Sequence, residues 1–439
     1  MKYAVFWAAF AAVPLLAAVL AINKRWMGWA FCGMLAGLYL YESTSISFVS
    51  YQYYRGTALG MEISILHLLA LAVVLALAIR GKWHSPLPEG GIRLFFLYLL
   101  LCLPSFRNAD SVIIGWFEIW KLLMLFLFWH AVYGFLTGTG QVETVVKALA
   151  VFVIANAFKV IQQHYSFRLT QGVFSHRNTM AMAMNMLGPM FLAGYLQLGL
   201  RDKLGRLCVA AFACTGLCTM WSYSRGAIAV LPIGYGLATG CCLVGGRVRF
   251  HSLAKRLAPF AVIGSIGLAA IWPHFVERFT GAPEASKNTR VALAHCAWEM
   301  MKAHPWAGVG VNNWSLNLGE DHEYLSLVEE KMGADVGSFT GIVETVYLLT
   351  GAECGIPALL AMLAWFGWHW LACLRGVWRL RGARYHFIAA GFFGGLTANY
   401  LQSSLEWVLR QRMSMFLLMI CFALVAWLRT LPREKESAA

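Results

Sequence analysis

Charge is scarce in this chain. Asp, Glu, Lys and Arg together make up 13% of its 439 residues, about half the share of an average soluble domain. Polar segments are scarce too. Only Phe275 to Thr345 is polar over any length, so no second stretch offers room for a soluble chemical site. Acidic residues number 21 against 35 basic ones, a net charge of +14. The basic residues lie in short clusters between apolar runs rather than in one patch, which argues against nucleic acid as a partner and for the charge bias of membrane loops. There is no CxxC among the eleven cysteines, and no Cys/His spacing of a metal site; these thiols read as buried and structural. No metal or cofactor is expected. Met1 to Ile22 lacks both a basic run ahead of its apolar core and a clear small-residue cleavage site, so it reads as a first span rather than a signal peptide.

Apolar residues, by contrast, reach 59%, with mean hydropathy +0.62. Runs of roughly 18–25 apolar residues recur, each long enough to cross a bilayer. The expected fold is an all-α polytopic bundle of about twelve spans, with eleven to thirteen as the range. Candidates run from 4–22 and 27–43 through 61–79, 94–106, 112–136, 142–162, 179–199, 207–222, 227–246 and 257–274 to 345–372, 385–404 and 414–428. This predicts an N-terminal bundle over 1–274, a loop over 275–344 containing short helices, and C-terminal helices with a tail over 345–439. Connectors rich in Lys and Arg, such as Arg201/Lys203/Arg206 and Arg375/Arg379/Arg381/Arg384, alternate with the others and belong on the cytoplasmic side. The long loop then faces out, which in a bacterial inner membrane is the periplasm. The side of the N-terminus depends on whether all thirteen candidates span.

The span ends and outer loops carry Arg55, Arg168, Arg177, Arg225, Arg290, Arg410 and Arg412, all seven Arg rather than Lys. Arginine on the disfavoured side calls for a partner, and its planar fork fits phosphate or carboxylate. Four stretches stand out. Tyr54-Arg55-Gly56-Thr57 with Glu62 is a pocket edge or a turn. Gly172 to Asn178 places His176, Arg177 and Asn178 ahead of a helix whose N-terminus attracts anions. Ser222-Tyr223-Ser224-Arg225-Gly226 sets Ser224 and Arg225 between two helices, where a charge so near a span core is costly unless used. The loop, fourth, holds a helix from about Asn288 to Ala303. Its Val291, Ala294, Trp298 and Met301 repeat at helical spacing, with Trp298 as anchor. Then come His304, the turn Gly308-Val309-Gly310, a second helix from Asp321 to Met332 that includes His322, and Glu344 at the mouth of the next span.

The pieces GVFSHRN (172–178), SYSRGA (222–227), the Arg290-to-Trp298 helix, HPWAGVG (304–310) and YLLTGAECGIP (347–357) resemble, in order and spacing, the O-antigen ligase and polysaccharide polymerase superfamily of inner-membrane glycosyltransferases. The resemblance covers Gly172 to Pro357; the N-terminal spans match by hydropathy alone. It implies that Arg225 and Arg290 hold an undecaprenyl-linked pyrophosphate. Where the family carries a His-Asn pair before Tyr-Leu, with the His proposed as general base, this chain has Glu344 and Thr345.

The resemblance thus implies metal-independent, inverting transfer of a glycan from undecaprenyl diphosphate to a sugar hydroxyl, on lipid A–core (ligase) or on another glycan (polymerase). Both acceptors remain open. Glu344, Arg290 and Arg225 are the catalytic candidates; Arg177, His176, Asn178, Ser224, Arg55, His304 and His322 are binding candidates. Membrane lipids are the remaining expected partner. A transporter of the same lipid would use a similar Arg-lined cavity but tends to show internal repeats, and none is evident. A structural subunit would need neither Arg225 nor Glu344. Glu118 and Lys121, three residues apart in an apolar run, are expected to pair with each other.

Overall fold

The computed structural model describes residues 2–83, 85, 87, 89–167, 170–245, 248, 250–280, 284–318, 324 and 341–432. Helix accounts for 77% of the structure, so the all-α reading holds, with one addition. A two-stranded antiparallel hairpin, β1 (Ile46–Ser50) and β2 (Gly60–Ile63), pairs Ile46 with Ile63 and Ser50 with Gly60. The chain forms two compact units. One comprises Met1–Ala148, Thr289–His369 and Ser403–Trp427; the other comprises Leu149–Asn288, Trp370–Gln402 and Leu428–Ala439.

The first unit opens with α1 (Lys2–Ala11) and α2 (Val13–Ile22), bent by 42° at Ala12. Pro14 falls in the first turn of α2, where a missing N–H leaves no hydrogen bond unmade, so the chain restarts a helix there instead of continuing one. The expected first span is therefore a broken pair. α3 (Lys24–Tyr39) is capped by Asn23, whose side chain accepts from the Arg25 N–H at 2.8 Å, and the one-turn α4 (Tyr41–Thr44) leads into the hairpin. α5 (Ile65–Ile79) starts at a reciprocal cap between Ser64 and His67 and packs on α2, α3 and the helix over Val112–Thr139. α6 (Gly90–Cys102) tightens into a 3-10 turn over Leu103–Asn108, the outcome of the short segment at 94–106 that ends in Pro104. α7 (Val112–Thr139) closes on Gly140 at φ 71.

α8 (Val142–Phe167) begins in the first unit and continues in the second. The second unit is built around α9 (Arg177–Leu198), whose side chains from Thr179 to Leu196 are all buried. α10 (Lys203–Trp221), α11 (Arg225–Val244) and the later α15 (His386–Gln402) surround it. Gly391 and Gly395, four apart on α15, lie directly against the backbone of Met190 and Met186 on α9. Small residues at i and i+4 let helix backbones approach closely, which is how packing holds helices together where no water is displaced. Buried polar groups join the same helices: Asn399 of α15 donates to the Met182 carbonyl of α9 at 3.1 Å, and Asn185 of α9 to the Ala227 carbonyl of α11 at 2.8 Å.

α12 (Phe250–Thr280) extends past the expected end of its span at 274. α13 (Glu284–Ala303) begins four residues before the expected start at Asn288. α14 (Val346–Arg379) runs through a break at Gly355, φ 82, and α16 (Arg412–Leu428) is the last helix among the described residues. Among the described residues, six helical segments are long and apolar enough to cross a membrane, seven if α1 and α2 form one span; α5 and α16 are shorter apolar helices.

Candidate active site

The face of α13 differs from the one its pattern suggested. Trp298 is 51% exposed and Val291 50% exposed, so neither anchors the helix. Leu293, Cys296, Ala297 and Met300 do so instead, packing with Val309, Trp314, Val343 and Leu349 in one cluster. A period of 3.6 is compatible with either of two neighbouring apolar stripes, and burial selects the one through Leu293, Cys296, Ala297 and Met300. Arg290 then lies at the rim of this face, and its Nη2 meets Glu344 Oε2 at 2.5 Å. Both side chains keep contact with solvent, 40% and 33% exposed. Glu344 stands two residues before α14, so the ion pair joins the N-terminal half of α13 to the mouth of the following helix.

The two Gly-rich motifs interlock. Gly355 at φ 82 and Pro357, which has no N–H, interrupt α14 and deprive the Ala352 and Glu353 carbonyls of their helical donors. The N–H groups of Val309 and Gly310 supply those bonds at 2.9 and 3.0 Å, while the Ile356 N–H donates to the Pro305 carbonyl at 2.8 Å. Gly308, φ 65, lies so close to the Glu353 carbonyl that a side chain would collide with it. HPWAGVG is thus a docking surface for a broken helix.

Below that break lies a cluster of buried charges. Arg410 Nη1 bonds Glu353 Oε2 at 2.6 Å and its Nη2 reaches Glu118 Oε1 at 3.1 Å. Lys121 pairs with Glu118 at 2.7 Å, as its spacing predicted, and donates to the Arg410 carbonyl at 2.9 Å. The four side chains are at most 3% exposed. Two acids and two bases balance, as burial of charge demands. The Thr57 hydroxyl donates to Glu118 at 2.7 Å, and Asn312, held at φ 57, accepts the Thr57 N–H at 2.9 Å. The Tyr54 phenol donates to the Asn312 carbonyl; burial, reinforced by Glu353, pushes its pKa well above the ordinary value. The Tyr54-to-Thr57 motif is therefore a turn fastened to the loop. Arg410 and Arg412 are taken up by protein carboxylates, Arg412 by Glu62, so neither is available as the lipid-facing arginine the sequence suggested. Glu353, within YLLTGAECGIP, has no role assigned by its motif; its signal in the sequence is a carboxylate inside an apolar run.

The remaining candidates are dispersed. Arg55 is exposed and its carbonyl accepts from the Ser315 hydroxyl. His304 is half-buried; its Nδ1 lies 3.5 Å from Asn108 Nδ2, which also donates to the Gly308 carbonyl at 2.8 Å. His322 and the expected helix Asp321–Met332 lie outside the described residues. In the second unit, His176 caps α9, its Nδ1 accepting the Asn178 N–H at 3.2 Å. Partial desolvation, then the charge of Arg177, holds this imidazole below its ordinary pKa. Ser222 accepts from the Ser224 N–H at 3.1 Å and donates to the Thr219 carbonyl at 2.6 Å, shaping the turn in which Tyr223 adopts φ 51. Arg225 opens α11 beside this turn and is half-buried. The Asn185–Ala227 contact sets that end alongside α9, eight residues beyond Arg177, about 12 Å along the axis. Among the described residues, no three His, Cys, Asp or Glu side chains gather as a metal-ligand set.

These features describe a multi-pass helical membrane protein with an ion-paired carboxylate at a loop-to-helix junction. A family model described as O-Antigen ligase matches residues 210–363, which supports the likeness to the O-antigen ligase and polysaccharide polymerase superfamily read from the motifs. The matched segment contains Arg225, Arg290, Glu344 and both Gly-rich motifs, whereas Glu118 and Arg410 lie outside it. No curated protein matches the chain.

Proposed function

We propose that this protein transfers a glycan from undecaprenyl diphosphate to a sugar hydroxyl on lipid A–core, at the periplasmic face of the inner membrane. The observation that carries this reading is the Arg290–Glu344 pair, 2.5 Å apart, at the junction where the family places its base. The ion pair with Arg290 holds the Glu344 carboxylate at the mouth of α14, where it is to accept the proton. The acceptor oxygen attacks the anomeric carbon from the side opposite the diphosphate, and its proton passes to Glu344. The bond from the anomeric carbon to the phosphate oxygen breaks, the diphosphate leaves with the electron pair, and the anomeric configuration inverts. Arg290 uses one Nη for Glu344 and its side chain is 40% exposed, so guanidinium donors remain for a departing phosphate. The share of Arg225 in that role rests on its motif. No metal enters the scheme; the arginines supply the positive charge.

The test is incubation of purified protein with a lipid-diphosphate glycan and separate acceptors. A product on lipid A–core supports ligation, elongation of the glycan itself supports a polymerase, and release of neither product refutes the reading.

A further inference from the structure

We infer that Glu353, Arg410 and Trp314 are positioning residues for Glu344. This rests on the proposed role of Glu344 as base. Glu353 Oε2 is held by Arg410, and its Oε1 accepts the backbone N–H of Trp314 at 3.3 Å. The Trp314 indole N–H donates to the Gly341 carbonyl at 3.1 Å, three residues before Glu344. The indole is 1% exposed and packs in the same cluster as Leu293, one turn from Arg290, and Val343, next to Glu344. One ring therefore supports both members of the Arg290–Glu344 pair, and the buried charges fix that ring.

A cluster of four buried charges is a poor way to gain stability. Apolar side chains of similar volume often do as well or better, because desolvating the ions offsets their attraction. What the ions supply is direction. The fork of Arg410 accepts only one arrangement of Glu353 and Glu118, and Thr57 and Asn312 tie the hairpin loop and the Gly-rich turn to the same point. The segment carrying Glu344 is tied to this scaffold through the Trp314–Gly341 bond and the packing of Val343. A displacement of about 1 Å at a reacting group costs on the order of a hundredfold in rate.

The experiment uses Glu353→Gln, Arg410→Lys and Trp314→Phe in the full-length protein. The last keeps an aromatic ring but lacks the indole N–H. Each is assayed for transfer and, in a second set also carrying Glu344→Cys, for the labelling rate of that cysteine by site-resolved mass spectrometry. Expected are a fall in kcat of at least tenfold, donor and acceptor KM values within about threefold, and a several-fold change in labelling rate. A purely structural role would lower the yield of folded protein and leave kcat per folded molecule unchanged. If Glu353→Gln does not fold, Trp314→Phe decides. Parental kcat and parental labelling in the folded variants overturn the inference. The two readings separate cleanly: if Glu344→Gln is fully active but labelling responds to Trp314→Phe, the base assignment fails and the positioning stands; the converse pattern removes the positioning alone.

Discussion

Replacing Glu344 by Gln separates a base from a structural ion pair, because the structure sets very different magnitudes for the two. The pair joins side chains that are 40% and 33% exposed. Exposed ion pairs contribute about 0–1 kcal/mol to stability, so the variant should unfold within about 1 kcal/mol of the parent. Gln is isosteric and can still accept a hydrogen bond from Arg290. It cannot take a proton. Loss of a general base lowers a rate by about 10²–10⁴-fold, or roughly 2.7–5.4 kcal/mol on the barrier at 1.36 kcal/mol per factor of ten. The assay is transfer from the lipid-diphosphate donor, with donor binding measured separately and thermal unfolding as control. Activity should fall at least a hundredfold with donor binding retained. Glu344→His, which restores the family's usual residue, should keep part of the activity. A Gln variant within threefold of the parental rate would refute the base assignment and make His304 the next described residue to test.

Arg225→Lys and Arg290→Lys keep the charge but lose the bidentate fork; each should cut transfer at least tenfold with normal expression, and full complementation of a null strain by both would remove the diphosphate clamp. A cysteine replacing Trp306, 79% exposed, should be labelled from outside cells by an impermeant thiol reagent, and one replacing the exposed Arg381 should not; the reverse pattern inverts the orientation. Gly308→Ala places a side chain at φ 65 against the Glu353 carbonyl, so thermal unfolding should report a loss of about 2–5 kcal/mol, from about 1–2 for the left-handed backbone and about 1–3 for overpacking. His176 caps α9 in its neutral form, and its folded pKa lies below 6.5. Its contribution is therefore complete above pH 6.5 and is lost as the pH falls through the lower folded value; stability of His176→Asn, which caps without titrating in this range, should be flatter with pH over that window.

The sequence by itself determined the class, because a bilayer admits helices and little else when charge is this scarce. It also determined the local stops: Pro14 breaks the first span, Gly140 ends α7, and Gly355 with Pro357 interrupts α14, each through a backbone property of a single residue. The Glu118–Lys121 pair was legible for the same reason, since both partners lie on one helix three residues apart. Only the tertiary structure decided which stripe of α13 is buried, that Arg410 meets Glu353 and Glu118 rather than a lipid, and that HPWAGVG supplies the hydrogen bonds missing from the break in α14. Those contacts join residues separated by tens to hundreds of positions, and no periodicity records them. Arg290 meeting Glu344 belongs to that second group: each residue was visible in its motif, but a guanidinium shows its partner only once the chain between has folded back.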